Sequence, residues 1–442
     1  MSKLSKTILA RYKNARHYLS SLQETFKNGY PAKKMIVIGV TGTDGKTTTS
    51  HLIYEILKAN KFKVALISTV GAWGPQGFID TGLHTTTPDA TVLQPMLKKF
   101  LDAGVTCVVL EVTSHGLDQH RVLGCNFYSG VLTNVSHEHL DYHKTFENYR
   151  QAKAMLFRGV KLAVLNKDDK SYEFFKRITF KKARVVSYST LGLASVKATN
   201  ITEKSTLLTF LASDNGVGYQ IKTPLIGRYN VSNILASIGL TRALGVDWKT
   251  IQKVLSQFSG ISGRMEYIKT RPYSVIVDFA HTPNALNQLL TTLQTKLPPK
   301  GRLITVFGCA GERDRSKRPL MGGISGKLAD ISIFTAEDPR SEDVNEIIMQ
   351  MVKGARGAKT TEVKQVSYLD HLEGGTDSPP KDGHVFVREP DRGKAIGLAI
   401  KTAKSGDIVV ICGKGHEKSM AFGKTEIPWS DQDAAQKALT AK

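Results

Sequence analysis

Met35-Ile36-Val37-Ile38-Gly39-Val40-Thr41-Gly42-Thr43-Asp44-Gly45-Lys46-Thr47-Thr48 decides the fold of the first half of this chain. An apolar run of strand character, Met35 to Val40, opens directly into a glycine-bearing turn, and Leu52, Ile53, Ile56 and Leu57 follow at helical spacing. A strand, a tight turn and a helix start in that order aim several backbone N–H groups and the positive end of the helix dipole at one anion. Lys46 adds a mobile positive charge, and Thr47 a hydroxyl suited to Mg2+. Gly42, Thr43, Asp44, Gly45, Lys46, Thr47 and Thr48 therefore read as the phosphate cradle of a nucleoside triphosphate site. The spacing is not the generic one, because Val40 stands where the first glycine of that pattern is expected.

Working outward, the apolar runs Val64 to Thr69, Val105 to Val112, Gly130 to Val135 and Leu162 to Leu165 alternate with helical stretches, which predicts an α/β domain with a mostly parallel sheet over 35–262. Alternating polar and apolar residues between Ala194 and Leu225 predict antiparallel strands attached to it. A second α/β rhythm, Rossmann-like, occupies 263–442, with strands at Ser274 to Phe279, Leu303 to Phe307, Ile331 to Thr335, Val385 to Arg388 and Ile408 to Cys412. Each empties into a polar loop, where open α/β sheets place their ligands. Residues 371–383, rich in Gly, Pro and Asp, read as a surface loop.

The chain has 442 residues, too many for one ordinary core, and 41% of them are apolar. Cys107, Cys125, Cys309 and Cys412 are scattered in apolar runs, which suits neither a disulfide framework nor a zinc site. No apolar run reaches the roughly 18 to 20 residues that cross a bilayer, and no signal-peptide stretch opens the chain, so a cytoplasmic location is expected. The formal net charge of +22 is spread along the chain without a recognition-helix pattern, which favours small anionic substrates over nucleic acid. Residues 1–34 carry Lys3, Lys6, Arg11, Lys13, Arg16, Lys27, Lys33 and Lys34 against the single acid Glu24. Leu4, Ile8, Leu9, Tyr12, Leu19 and Leu22 can share one helical face there. Two readings stand: a basic amphipathic helix lying on the anionic inner face of a membrane, or a helix packed on the body.

Glu111, near the end of a buried run, pairs chemically with Thr47 as a ligand of a Mg2+ that bridges triphosphate oxygens. The histidine-rich stretch Asn134-Val135-Ser136-His137-Glu138-His139-Leu140-Asp141-Tyr142-His143 fits no zinc spacing. Ser114-His115 is not a hydrolase dyad, since neighbours on a strand point apart and no Gly-x-Ser-x-Gly elbow is present.

With these motifs in order, the chain resembles the Mur ligase superfamily. The compact Gly-Thr-x-Gly-Lys-Thr loop is similar to that family's ATP loop, and the stretch through Ala152-Lys153-Ala154-Met155-Leu156-Phe157 resembles the one in which a histidine and a carbamoylated lysine serve a second Mg2+. The resemblance implies an ATP-dependent carboxylate–amine ligase with Lys46, Glu111, His139 and Lys153 as catalytic residues and Thr47, Glu111, His139 and Lys153 as metal ligands. It also assigns Asn166, Arg264 and His281 to ATP. It narrows to the MurE branch, which attaches the third amino acid of the peptidoglycan stem. Thr85-Thr86-Thr87-Pro88, Glu111-Val112-Thr113-Ser114-His115 and Gln119-His120-Arg121 are similar to that branch's muramoyl-peptide contacts, which implies that Thr86, Thr87, Thr113, Gln119 and Arg121 face the acceptor. Asp278-Phe279-Ala280-His281-Thr282-Pro283, the loop Phe307 to Arg315 and Gly413-Lys414-Gly415-His416-Glu417 complete the set. They imply amino-acid contacts at Arg313, Glu337, Asp338, Pro339, Arg340, Gly413 and Glu417.

Two departures matter. Glu337-Asp338-Pro339-Arg340 stands where diaminopimelate users have Asp-Asn-Pro-Arg. Arg340 argues for a substrate with a distal carboxylate, whereas Asp338 favours a nearby ammonium, and diaminopimelate carries both groups. The phosphate loop also arrives at residue 42, so the roughly hundred-residue uridine-diphosphate domain of the branch is expected to be missing. That keeps open a superfamily ligase with another acceptor, such as a folate polyglutamate or a lipid-linked muramoyl peptide, and a non-catalytic nucleotide-dependent scaffold. A monomer is expected.

Overall fold

The computed structural model describes residues 3–81, 85–179, 181–204, 207–214, 216–363 and 384–442, with side chains from residue 14 onward; the expected loop 371–383 lies outside the described residues. The chain divides into two compact units, Met1–Ser259 and Gly260–Lys442.

In the first unit, Ile36–Thr41 lies near the middle of an eleven-stranded sheet, between Cys107–Glu111 and Ser129–Leu132 and parallel to both. Val64–Ile67 continues the parallel run on one side, and Leu162–Asn166, Arg184–Ser189 and Val196–Lys204 continue it on the other. Leu207–Asp214 and Val217–Thr223 are antiparallel additions, matching the alternation read between Ala194 and Leu225. The central strands are buried on both faces, which is why they read as continuous apolar runs. Register sets Val40 opposite Glu111 and Thr41 opposite Leu132, so the polar residues beyond these strand ends gather at one edge of the sheet.

Two strands are shorter than the apolar pattern suggests, for the same reason. Ser129–Leu132 stops before Thr133 because Thr133 Oγ1 donates to Asp44 O (2.7 Å) and Asn134 Oδ1 accepts from Asp44 N (3.0 Å). Val64–Ile67 stops before Thr69, whose N–H and hydroxyl both bind Glu111. In each case a polar side chain at the strand end holds a loop.

The second unit has a seven-stranded sheet in the order Glu266–Lys269, Ser274–Asp278, Ile408–Cys412, Leu303–Phe307, Ile331–Phe334, Val385–Arg388 and Thr361–Glu362. Only the first pairing is antiparallel. Among the described residues its core holds one fully buried ion pair. Arg392 Nε and Nη2 each lie 2.7 Å from Asp431, and the remaining donors reach Ala336 O and Cys412 O. The guanidinium thereby ties the ends of two regions that carry expected site residues to the C-terminal helix Asp431–Thr440. Removing one member of a buried pair strands the other charge, at a cost of about 3–5 kcal/mol. Arg392→Met is therefore expected to lower the unfolding free energy of the second unit by about 3–5 kcal/mol in a urea titration, with Arg392→Met/Asp431→Leu recovering much of it; a loss below about 1 kcal/mol in the single variant would contradict the assigned role.

Candidate active site

The turn after Ile36–Thr41 closes through two glycines that no other residue replaces. Gly42 (φ 154°) sits where a Cβ would lie 1.8 Å from Thr133 Oγ1, and Gly45 (φ 79°) where a Cβ would lie 2.2 Å from Asn233 Oδ1. Gly45 is the N-cap of the helix Lys46–Ala59, so the N–H groups of its first turn face the loop. Lys46 Nζ donates back to Gly42 O (3.1 Å) and Thr43 O (2.7 Å), which fixes its charge over the turn. Thr47 is buried at the helix start. Asn166 ends its strand one place beyond Ser129–Leu132; its Nδ2 donates to Thr133 O (2.7 Å), so it braces the strand end that holds the loop.

Glu111 is fully buried, and its Oε2 accepts from Thr69 N (2.6 Å) and Thr69 Oγ1 (2.5 Å). Its Oε1, equally buried, has no hydrogen-bond partner among the described residues. From Thr69 a chain of hydroxyls runs outward. Thr69 Oγ1 lies 3.0 Å from Thr86 Oγ1, Thr87 Oγ1 donates to Glu111 O (3.1 Å) and accepts from Thr113 N (2.9 Å), and Thr113 Oγ1 caps the helix Ser114–Asp118. Arg121 closes the group, donating to Thr87 O (3.0 Å) and to Gln119 Oε1 (2.9 and 2.7 Å) and pairing with Asp89 (2.9 Å). All five residues expected at the acceptor thus lie together next to Glu111. Ser114 and His115 do not lie on a strand as assumed; they open that short helix, and Ser114 Oγ meets His143 Nε2 instead (3.0 Å). Burial pushes His143 down to about 4, against an opposing Asp118, so the ring is neutral near pH 7.

The helix Phe146–Ala154 carries Lys153 inward. Its Nζ is buried, donates to Gly42 O (2.6 Å) and lies 4.5 Å from the Tyr149 ring. Burial, reinforced by Lys46, holds the Lys153 ammonium well below the usual lysine range, with Asp44 and Glu138 opposing. Tyr149, one helical turn earlier, binds Thr43 Oγ1 (2.9 Å). His139 packs edge-on to His115 (4.7 Å between centroids) and lies near Tyr149 (6.1 Å), so His139 and Lys153 approach the same side of the loop through Tyr149.

In the second unit, Gly311 N donates to Asp338 O (2.8 Å), Arg340 Nη1 donates to Gly311 O (2.6 Å), and a Cβ on Gly311 would lie 1.8 Å from Pro339 O. The exposed Arg313 belongs to the loop this contact fixes. Asp338 Oδ1 accepts from the buried Lys414 Nζ (2.7 Å), which also reaches Glu417 Oε2 (2.5 Å). Sequence reasoning expected Asp338 and Glu417 but assigned nothing to Lys414, although it sits in the same quoted motif. No carboxylate pairs with Arg340 among the described residues. Arg264 lies 4.2 Å from the Phe279 ring centroid, and His281 Nδ1 is 2.9 Å from Phe279 O, so these two gather around Phe279 beside Asp278, whose carboxylate accepts from Met265 N and Ala280 N. Thr69, Tyr149 and Lys414 are the site residues the sequence did not single out. Tyr149 alone left a signal, one turn before Lys153 on the same helix.

Comparison with known proteins identifies the family. The family description "Mur ligase middle domain" matches residues 40–241, and "Mur ligase, glutamate ligase domain" matches 263–415. A UDP-N-acetylmuramoyl-L-alanyl-D-glutamate–2,6-diaminopimelate ligase of Bacillus cereus is 38% identical, over 97% of this chain and 83% of its own length. The solved structure of a UDP-N-acetylmuramoyl-L-alanyl-D-glutamate–2,6-diaminopimelate ligase superposes with a TM-score of 0.60 at 32% identity, covering 92% of this chain and 78% of that one. A folylpolyglutamate synthase of Mycobacterium tuberculosis bound to ADP shares the fold, with a TM-score of 0.70 at 16% identity over 93% and 96% of the two chains.

Burial pushes the Glu337 carboxyl up to about 7, Lys317 and Lys414 opposing while Asp338 and Glu417 add to the shift. The folded state therefore binds this proton more tightly than the unfolded chain, and the group's contribution to stability is lost as pH rises through the interval from 4.5 to about 7. Glu337→Gln is expected to gain stability relative to the parent between pH 5 and pH 8, by on the order of 1–3 kcal/mol in denaturant titrations; a difference independent of pH would contradict the buried, protonated carboxyl.

Proposed function

The chain belongs to the Mur ligase family of ATP-dependent amide ligases, and on that premise we propose that it joins meso-diaminopimelate to the D-glutamate of a muramoyl-L-alanyl-D-glutamate acceptor in peptidoglycan precursor synthesis. The observation that carries the reading is the continuous run Glu111–Thr69–Thr86 with Thr87, Thr113, Gln119 and Arg121 at the strand end beside the phosphate loop.

In this reading the loop N–H groups and Lys46 hold the β- and γ-phosphates, and the hydroxyls with Arg121 hold the acceptor so that its carboxylate faces the γ-phosphorus. The carboxylate oxygen attacks phosphorus and ADP leaves, giving an acyl phosphate. The amine of the incoming amino acid then attacks the acyl carbon and expels phosphate. The residues act by positioning and by neutralising charge rather than by covalent chemistry.

The donor set suits Mg2+, which needs one or two protein oxygens and completes its shell with phosphates and water. Glu111 Oε1, buried without a hydrogen-bond partner among the described residues, and the Thr47 hydroxyl would hold one ion; His139 and a carbamate on Lys153 would serve a second. Bound there, Mg2+ would screen the phosphate charge from the attacking carboxylate. Among the described residues no group of three or more His, Cys, Asp or Glu is arranged to hold a metal. The depressed Lys153 ammonium favours the neutral amine that adds to CO2.

For the amino acid, Lys414 already neutralises Asp338 and Glu417, while among the described residues the Arg340 guanidinium meets the carbonyl of Gly311 and no carboxylate. A distal carboxylate supplies the partner that a half-buried guanidinium calls for. The likeness to folylpolyglutamate synthase extends to the fold alone.

Sustained ADP release over many turnovers is expected to require both acceptor and diaminopimelate. Lys46→Ala should cut ligation about 100- to 1000-fold, the size of a lost charge stabilisation of 3–4 kcal/mol, and full activity in that variant would remove the ATP assignment. Arg340→Ala should weaken diaminopimelate use roughly tenfold or more while leaving lysine use little changed; a parent enzyme that prefers lysine would overturn the choice of amino acid.

A further inference from the structure

From Asn14 onward, the helix Lys3–Lys27 packs on the first unit with its polar side inward. Asn14, His17, Ser21, Glu24 and Thr25 are buried or half-buried, and Thr25 Oγ1 donates to Ser21 O (2.7 Å) and Leu123 O (3.2 Å). The apolar side faces out: Tyr18, Leu19, Leu22 and Phe26 are 41, 65, 40 and 74% exposed. At about 100° per residue these four fall within one arc of about 100°, a contiguous stripe rather than scattered exposed residues. A helix docked only on its own protein shows the reverse pattern.

Charge indicates what covers the stripe. Arg16 and Lys27 are exposed at its edge, and Lys33 and Lys34 are exposed in the turn Pro31–Lys34 that follows. The one acid of residues 1–34, Glu24, lies on the inward side, where its side chain accepts from Asn28. No described helix is long and apolar enough to cross a membrane. An apolar stripe edged by cations on a helix of that kind matches the boundary between acyl chains and anionic headgroups. A protein partner would answer the stripe but leaves the one-signed rim unexplained.

We propose that Leu19, Leu22 and Phe26, with Arg16, Lys27, Lys33 and Lys34, form a docking face for an anionic lipid surface, holding the protein in the plane of the bilayer interface. This inference stands apart from the ligase reading, since none of these residues lies in the loop, acceptor or amino-acid groups.

Co-sedimentation of the full chain with phosphatidylglycerol-containing vesicles and with pure phosphatidylcholine vesicles tests it. The parent should bind the anionic vesicles preferentially and be released by salt. Leu22→Glu/Phe26→Glu should lower the partition coefficient at least tenfold, and Lys27→Glu/Lys33→Glu/Lys34→Glu by about fivefold for each charge removed. Both variants should keep the parent's circular dichroism and ATP turnover, which separates lost docking from lost folding or activity. Equal sedimentation of parent and variants, or equal binding to both vesicle types, would overturn the proposal. So would a dimer, seen by light scattering, that Leu22→Glu/Phe26→Glu dissociates in a protein that binds no vesicles; the stripe would then join two copies of the chain.

Discussion

The site in the first unit depends on one close approach of backbone to side chain at Gly42. Because no Cβ intervenes, the loop settles against Thr133 and Asn134, whose side chains bind Asp44 at the strand end. The Gly42 carbonyl then accepts from both Lys46 and Lys153, side chains that reach it from separate helices. Burial, with the Lys46 ammonium close by on the same carbonyl, holds the Lys153 ammonium well below the usual lysine range. A side chain at position 42 would push the loop off Thr133 and pull the Gly42 carbonyl away from both lysines at once.

The second unit manages charge differently. The loops expected to hold the amino acid contain three acids, Glu337, Asp338 and Glu417; burial raises the Glu337 carboxyl, and Asp338 and Glu417 add to that shift. Lys414, buried between Asp338 and Glu417, pairs with both and opposes the rise at Glu337, which burial keeps as a carboxyl with a raised pKa. The Asp338 position, read from sequence as a site for a substrate ammonium, is met by an ammonium of the chain itself. This leaves Arg340 as the charged group of these loops without an acidic partner among the described residues.

Much of this was legible in the chain. The buried strands announced themselves as continuous apolar runs because both faces are covered, and the loop at 42–48 could be read from glycine, lysine and threonine alone. The Thr86, Thr87, Thr113, Gln119 and Arg121 group came from family resemblance, and its proximity to Glu111 follows from strand register, which no local pattern encodes. What escaped was the supporting layer. Thr69 looked like the end of a strand until the Glu111 carboxylate drew it out, and Ser114 and His115 were placed on a strand where Thr113 in fact caps a helix. Lys414 was one lysine in a glycine-rich motif. Its role depends on a contact with Asp338, 76 residues away in sequence.

The central claim, that ATP activates the acceptor carboxylate before the amine attacks, is tested most directly by oxygen transfer. With the acceptor's glutamate carboxylate labelled with heavy oxygen, turnover with ATP and diaminopimelate should leave one labelled oxygen in each phosphate released, read by mass spectrometry. Ligation that yields unlabelled phosphate would contradict the acyl-phosphate route and with it the assigned orientation of acceptor and loop.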